Sequence, residues 1–187
     1  MNPTNGVYIQ DIDGYFHTET EWTGEYTPNG IAVITSNCRF VMALEDAHSS
    51  CQWGNSDTEV SGITTTTDVS AALADYDGEA QTTTLLNELG DTDEIHACPP
   101  AHYCRAYTFP NGKKGYLGAA GEWKTVLNNF NAIVSALVKC EGSMMLLEYW
   151  TSTQYDSDSS WWSYKLLDKI DNSFKTDTHY VRAFAAI

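Results

Sequence analysis

The chain has 187 residues, long enough for one domain with a sizeable buried core. Its 25 acidic and 10 basic residues give a formal charge of −15. That charge repels phosphate backbones and argues against nucleic acid as a partner. Seventeen acids stand against a single base, Arg39, up to His96, while eight acids and nine bases follow it. The acidic half reads as a solvated surface rather than a site. No run is apolar and long enough to cross a membrane, so no membrane insertion is expected. The opening MNPTNGVYIQDIDG has no basic stretch followed by an apolar one, and no signal peptide is visible in it.

Taken in order, GVYIQDIDGYFHTETEW places two short β-like runs around Asp13-Gly14, a dipeptide suited to a tight hairpin turn. GIAVITSNCRFVMAL predicts two more strands, broken at Ser36-Asn37, with an apolar density that implies burial on both faces. The segment from Glu45 to Thr67 is turn-rich and reads as a long surface connection pinned by Trp53. DVSAALADYDG predicts a short helix with Val69, Ala72, Leu73 and Tyr76 on one face. TTTLLNELG predicts another, carrying Leu85, Leu86 and Leu89 and ending at Gly90. From Asp91 to Gly115 the chain is polar, bears prolines and reads as irregular.

The clearest periodicity is in GEWKTVLNNFNAIVSALVKCEG. Trp123, Val126, Leu127, Phe130, Ile133, Val134, Leu137 and Val138 recur at three and four residues and predict one helix from Glu122 to about Cys140. Glu122 in its first turn and Lys139 in its last agree with the helix dipole, and Gly142 stands where a C-cap belongs. The Phe130 side chain is expected in the core. Beyond it, YWTST, WWSYKLL and HYVRAF are β-prone, with the polar segment DKIDNSFKTDT between the last two. This aromatic end, with three of the six tryptophans, has the composition of a recognition surface.

The five cysteines, Cys38, Cys51, Cys98, Cys104 and Cys140, form no CxxC pair and read as buried free thiols. His96, Cys98, His102 and Cys104 are four possible zinc ligands within nine residues. Two prolines restrict how they converge, and zinc sites use wider spacings, so neither metal nor cofactor is expected.

Three motifs carry a resemblance. GYLGAAGEW resembles the R-L-P-[ST]-x-x-E-W segment that starts a helix in formylglycine-generating-enzyme-like proteins. YWTST resembles the Y-W-[ST]-S-T strand of related lectin-fold domains from gut Bacteroidales and their phages. YVRAF resembles the closing V-R-P-[VF] strand, with Gly118 and Ala183 standing where that pattern has proline. Together they resemble the C-type-lectin-like fold of the variable proteins of diversity-generating retroelements.

The resemblance implies an α+β fold of short antiparallel strands, two or more helices and long irregular connections, as one domain over 1–187. It implies a variable, ligand-binding segment at about 149–184. There Tyr155, Asp156, Ser157, Asp158, Ser159, Ser160, Trp162, Tyr164, Asn172 and Ser173 are the expected ligand-binding residues, exposed and tolerant of change. The plainer reading is a loop beside core tryptophans. Trp150 and Trp161 are expected to face inward, and Trp162, their strand neighbour, outward.

The implied function is non-catalytic recognition of a protein or glycan receptor on a cell surface, from a virion tail or a cell. The alternative is a structural domain of a fimbrial or tail assembly. An enzyme of the formylglycine-generating type is more remote, because that enzyme needs two late cysteines and none follows Cys140. The calcium-dependent sugar motifs E-P-N or Q-P-D with W-N-D are absent from the sequence. None of the five histidines has the context of a nucleophile elbow or a metal-binding helix.

Overall fold

The computed structural model describes residues 3–145, 148–165 and 168–187. Along the chain run β1 (Gly6–Asp11), β2 (Phe16–His17), β3 (Pro28–Ile34), β4 (Arg39–Met42) and β5 (His48–Gln52). Three helices follow, α1 (Val69–Leu73), α2 (Gly78–Leu89) and α3 (Pro99–Ala106), then β6 (Tyr116–Leu117). Two more helices, α4 (Ala120–Asn128) and α5 (Phe130–Lys139), precede the terminal strands. These are β7 (Glu148–Gln154), β8 (Ser159–Tyr164), β9 (Lys169–Phe174), β10 (Thr178–Val181) and β11 (Ala183–Ala186).

The strands form two sheets, ordered β2-β1-β3-β4-β11-β6 and β5-β10-β7-β8-β9. Among these strands all pairings are antiparallel except β10 with β7. The expected hairpin turn is present, with Gly14 at φ 85°, a left-handed conformation glycine adopts without steric cost. The break between β3 and β4 falls at Ser36-Asn37.

The six-stranded sheet is covered on both faces, as the continuous apolar run through β3 and β4 requires. On one face Ile31, Val33, Phe40, Met42 and Phe184 pack against Trp123, Val126, Ile133 and Leu137 of α4 and α5. On the other, the smaller Ala32, Ala43, Ala183 and Ala185 let α3 approach through Ala101 and Cys104. Alternation of large and small side chains along each strand therefore sets how near each layer lies. Trp123 is fully buried, stacked on Tyr149 at 4.7 Å and tilted against Phe184 at 5.1 Å. The helix stripe thus meets Tyr149 of β7 and Phe184 of β11, which belong to two different sheets rather than to one. A Cβ on Gly118 would lie 2.5 Å from the Phe184 ring, so that position has no room for the proline of the resembling motif.

Several expectations need correction. The periodic stretch 122–140 is two helices. Asn129, at φ −111° and ψ 15°, ends α4, and its side-chain amide donates to the Thr125 carbonyl at 2.9 Å, a local bond that competes with helix continuation. Phe130 opens α5 only half-buried, beneath the Lys165 ammonium at 4.5 Å. The stretch from Asp91 to Gly115 contains α3, because prolines at the first helical positions need no backbone N–H partner. Strand β5 lies in the expected surface connection, and β9 in the polar segment DKIDNSFKTDT. Both are edge strands with exposed polar residues, which hides the alternation that marks a strand. The second helix is also longer than the leucine pattern implies, starting at Gly78.

Candidate functional site

The terminal hairpin β7–β8 is built around a buried cation. Lys175 is fully buried, and its Nζ donates to Gln154 Oε1 at 2.9 Å, to the Ser157 carbonyl at 2.8 Å and to the Thr58 carbonyl. The ammonium lies 4.9 Å from the centre of the Trp53 ring. Burial pushes its pKa down to about 8, opposed by the nearby charges of Asp156, Asp158 and Glu59. Three donors meeting three oxygens is the full capacity of an ammonium. One side chain therefore ties together the 53–60 loop, the hairpin and the start of the β9–β10 turn.

Around that cation the turn is closely hydrogen-bonded. Asp156 Oδ1 accepts from the backbone N–H of Asp158 at 2.9 Å and of Ser159 at 2.7 Å, an Asx-type turn. Asp158 Oδ1 accepts from the Asp57 N–H at 3.1 Å. Tyr155 is half-buried, edge-on to Trp161 at 5.1 Å. Ser157 is half-buried, its carbonyl held by Lys175. Ser159 and Ser160 do not meet the expectation of exposure, at 7% and 0%. Ser160 Oγ donates to the Thr153 carbonyl at 2.8 Å, so the hydroxyl serves the strand pair. Both serines lie where β8 is flanked on its two sides, with β9 in continuous register from Ser159 to Tyr164 and β7 paired at Ser160.

The adjacent tryptophans take opposite faces as alternation requires, but both faces are packed: Trp161 lies in one core cluster, while Trp162, expected to face outward, pairs in register with Trp150 and packs against the other. Trp161 is 3% exposed and Trp150 fully buried, while Trp162 is half-buried. Trp162 stacks on His179 at 4.3 Å and on Tyr164 at 4.8 Å. With both neighbours stacked on it, Trp162 is a spacer in an aromatic row, and Tyr164 is the row's half-exposed member toward β9. His179 Nδ1 lies 3.2 Å from Glu148 Oε2; burial lowers its pKa and Glu148 opposes the shift. Asn172 is exposed on β9, and Ser173 Oγ donates to Asp177 Oδ2 at 2.6 Å. The ten residues therefore lie along one hairpin and its neighbouring strand, with Asn172 their most open position.

Sequence reasoning missed Lys175, Glu148 and His179. A lysine directly after the exposed phenylalanine that ends β9, amid acids on both sides, is the signal that could have found the first. The four possible zinc ligands do not converge. Cys98 and Cys104 are buried in the core, His102 Nδ1 bonds Asp91 at 2.7 Å, and His96 is exposed beside Glu94. Among the described residues no three His, Cys, Asp or Glu side chains gather to hold a metal ion. Cys98 Sγ is held as the thiol, its pKa pushed up to about 12 by burial.

A second polar centre sits at the start of α4. Glu122 is 3% exposed; it accepts from the Ala119 N–H at 2.8 Å and from the Tyr116 hydroxyl at 2.7 Å. Burial raises its pKa to about 8, and the charges of Asp75 and Asp77 add to the shift. Glu122 floors a cleft of about 300 Å³ whose rim includes Arg39, Asp77 and Glu79.

No protein-family model matches the sequence, and a comparison with curated proteins found no match. The fold is similar to that of a solved fimbrial protein from Bacteroides ovatus ATCC 8483, with a TM-score of 0.64 at 14% sequence identity. The similarity covers 99% of this chain and 49% of that one, so the chain spans about half the length of the fimbrial protein.

Proposed function

We propose that this chain is a non-catalytic domain of a fimbria-type assembly on a cell surface. The observation that carries the reading is the fold likeness to a fimbrial protein along nearly the whole chain, 99% of it. The interior agrees with a scaffold role, since buried Lys175 and Arg182 are spent on tying segments together. Arg182 Nε donates to Asp46 Oδ1 at 2.7 Å, and the Tyr149 hydroxyl donates to the same oxygen at 2.9 Å. The test is to shear filaments from cells that make the protein and probe the fractions with an antibody to this domain. The domain is expected to co-sediment with sheared filaments; its recovery only from cytosol or from filament-free medium overturns the reading.

A second reading, recognition by a C-type-lectin-like face of the kind diversified by retroelements, is supported by one feature. Tyr155 to Asp158, Trp162, Tyr164, Asn172 and Ser173 reach solvent from a backbone that Lys175 fixes internally. A face that changes its side chains needs such a fixed backbone. The receptor would be a protein or glycan, and the display a phage tail or a cell surface. Changing Tyr164 and Asn172 together to Ala should abolish binding of purified domain to whole cells without altering its melting temperature. Undiminished cell binding by that variant removes the hairpin from the recognition surface.

A further inference from the structure

One face of the five-stranded sheet carries an aromatic stack that crosses three neighbouring strands, β10, β7 and β8. His179 of β10 lies flat on Trp162 of β8, with 4.3 Å between ring centres and 4° between planes, and it meets Trp150 of β7 edge-on at 4.4 Å. Trp150 and Trp162 are themselves a cross-strand pair. Backbone pairing is sparse at the same place: among the described residues β10 and β7 pair at Tyr180 and Tyr149 alone, in parallel. Side chains therefore do much of the holding between β10 and the hairpin, helped by the Trp150 indole N–H, which donates to the Cys51 carbonyl of β5 at 2.8 Å.

His179 is 7% exposed, and its two ring nitrogens are unequally provided for. Nδ1 lies 3.2 Å from Glu148 Oε2, and a carboxylate only accepts, so the neutral ring carries its proton there. Nε2 is buried with no hydrogen-bond partner, and so is Nε1 of the stacked Trp162. A second proton on the ring therefore makes a buried donor with nothing to accept it, which is the costly case for a hydrogen-bonding group. Of the elements around the ring, β7 brings the Glu148 carboxylate, 39% exposed, and the turn before β10 brings Asp177. β5 brings Cys51, in register with His179, a thiol that burial keeps protonated, and β8 brings the uncharged Trp162. Burial outweighs the two carboxylates, and the pKa of His179 lies below the ordinary 6.5.

We propose that His179 is an acid-sensitive latch, whose protonation breaks its stack on Trp162 and loosens β10 from the β7–β8 hairpin. Above pH 6.5 the ring is neutral and the latch is closed; the stability it lends is lost as pH falls through 6.5 toward the lower folded value. Trp162 is the inner member of the row that ends at half-exposed Tyr164, so the latch sets whether that row has a firm backing. The device belongs to the fold and stands under either reading of function.

The experiment is a titration of Trp162 emission from about pH 8 to about pH 5, taken as the difference between the full chain and its Trp162→Phe variant. The difference removes the other five tryptophans, including Trp22, which lies edge-on to His17 at 5.5 Å. Below about pH 6.5 the emission should shift to the red, and it should return on neutralisation. His179→Gln should abolish the shift, and Glu148→Gln, which removes a charge that favours the imidazolium, should move it to lower pH. Quenching without a red shift would mean a protonated ring still stacked on the indole, held by attraction of the cation to the ring face, and it overturns the proposal. So does emission that ignores pH, or a shift that His179→Gln keeps. Should His179→Gln fail to fold, histidine carbon–proton NMR of the unaltered chain decides, with the ring identified by its proximity to Trp162 at neutral pH. A His179 ring that titrates below its ordinary 6.5 and loses that proximity as it does so supports the latch; one that titrates above 6.5, or stays beside Trp162 throughout, overturns it.

Discussion

Replacing Lys175 with Met keeps an unbranched side chain, one heavy atom shorter, and removes the three donors. The Gln154 amide oxygen and the carbonyls of Ser157 and Thr58 then lose their partner. An acceptor left unpaired in a buried setting costs about 1–3 kcal/mol, and hydrogen bonds from a charged donor stand at the upper part of the usual range. Against this, the variant no longer desolvates an ammonium, which is the main cause of the depressed pKa of about 8. Three orphaned acceptors at about 1.5 kcal/mol each, less about 3 kcal/mol for the returned desolvation, leave a net loss of about 1.5 kcal/mol. In a chain of this length that is a fall of roughly 3–6 °C in melting temperature. Urea melts of parent and variant measure it directly, and amide hydrogen exchange at Asp158 and Ser159 reports whether the turn opens first. A loss below about 0.5 kcal/mol would refute the reasoning, showing that the Lys175 contacts return no more than they cost.

Trp123→Ala should cost about 3–5 kcal/mol in denaturant melts, because the indole is fully buried between Tyr149 and Phe184. Phe130→Ala, half-buried under Lys165, should cost less than half as much, and parity of the two would return Phe130 to the core. Glu122 gives a pH dependence: its folded pKa of about 8 lies above the ordinary 4.5, so the folded state holds the extra proton. Its contribution is full below about pH 4.5 and is lost as pH rises through 8. Glu122→Gln, which keeps the contact to Ala119, should flatten the stability profile between those values, and an unchanged slope would assign it to another group. Ser160→Ala, which leaves the Thr153 carbonyl without its hydroxyl partner, should destabilise by about 1 kcal/mol in the same melts, and a neutral result would remove that bond from the hairpin's support.

The helices and strands that the sequence makes legible are those with one dominant face. The β3–β4 pair, the α4–α5 stripe and YWTST all bury a regular set of apolar side chains. The elements hidden from it, β5, β9 and α3, lie at sheet edges or begin with prolines, where propensity and pattern point elsewhere. The single-helix reading failed at Asn129 because periodicity survives a break that keeps both segments facing the same core. In the terminal hairpin, alternation put Trp161 and Trp162 on opposite faces but could not show that both faces are covered, so that Trp162 packs beside Trp150. Composition misjudged the buried Ser159 and Ser160, since a serine like Ser160, which closes a hydrogen bond inside a hairpin, looks the same in sequence as one in a loop. Lys175 was illegible for a further reason: its partners come from positions 58, 154 and 157, which only the fold brings together.

The six-stranded sheet also decides how the molecule would carry a pull. Pairing of Gly6 with Ile34, of Val33 with Phe40 and of Phe40 with Ala186 puts the first residue of β1 and the last of β11 at one end of the sheet. Two strands lie between them, a lateral gap of roughly 14 Å at the usual strand spacing. Tension applied between these two points runs across the strands instead of along them. Backbone hydrogen bonds then open in succession, as in a zip, rather than sharing the load in shear. A domain tethered by a single one of these points feels no such tension and keeps its sheet.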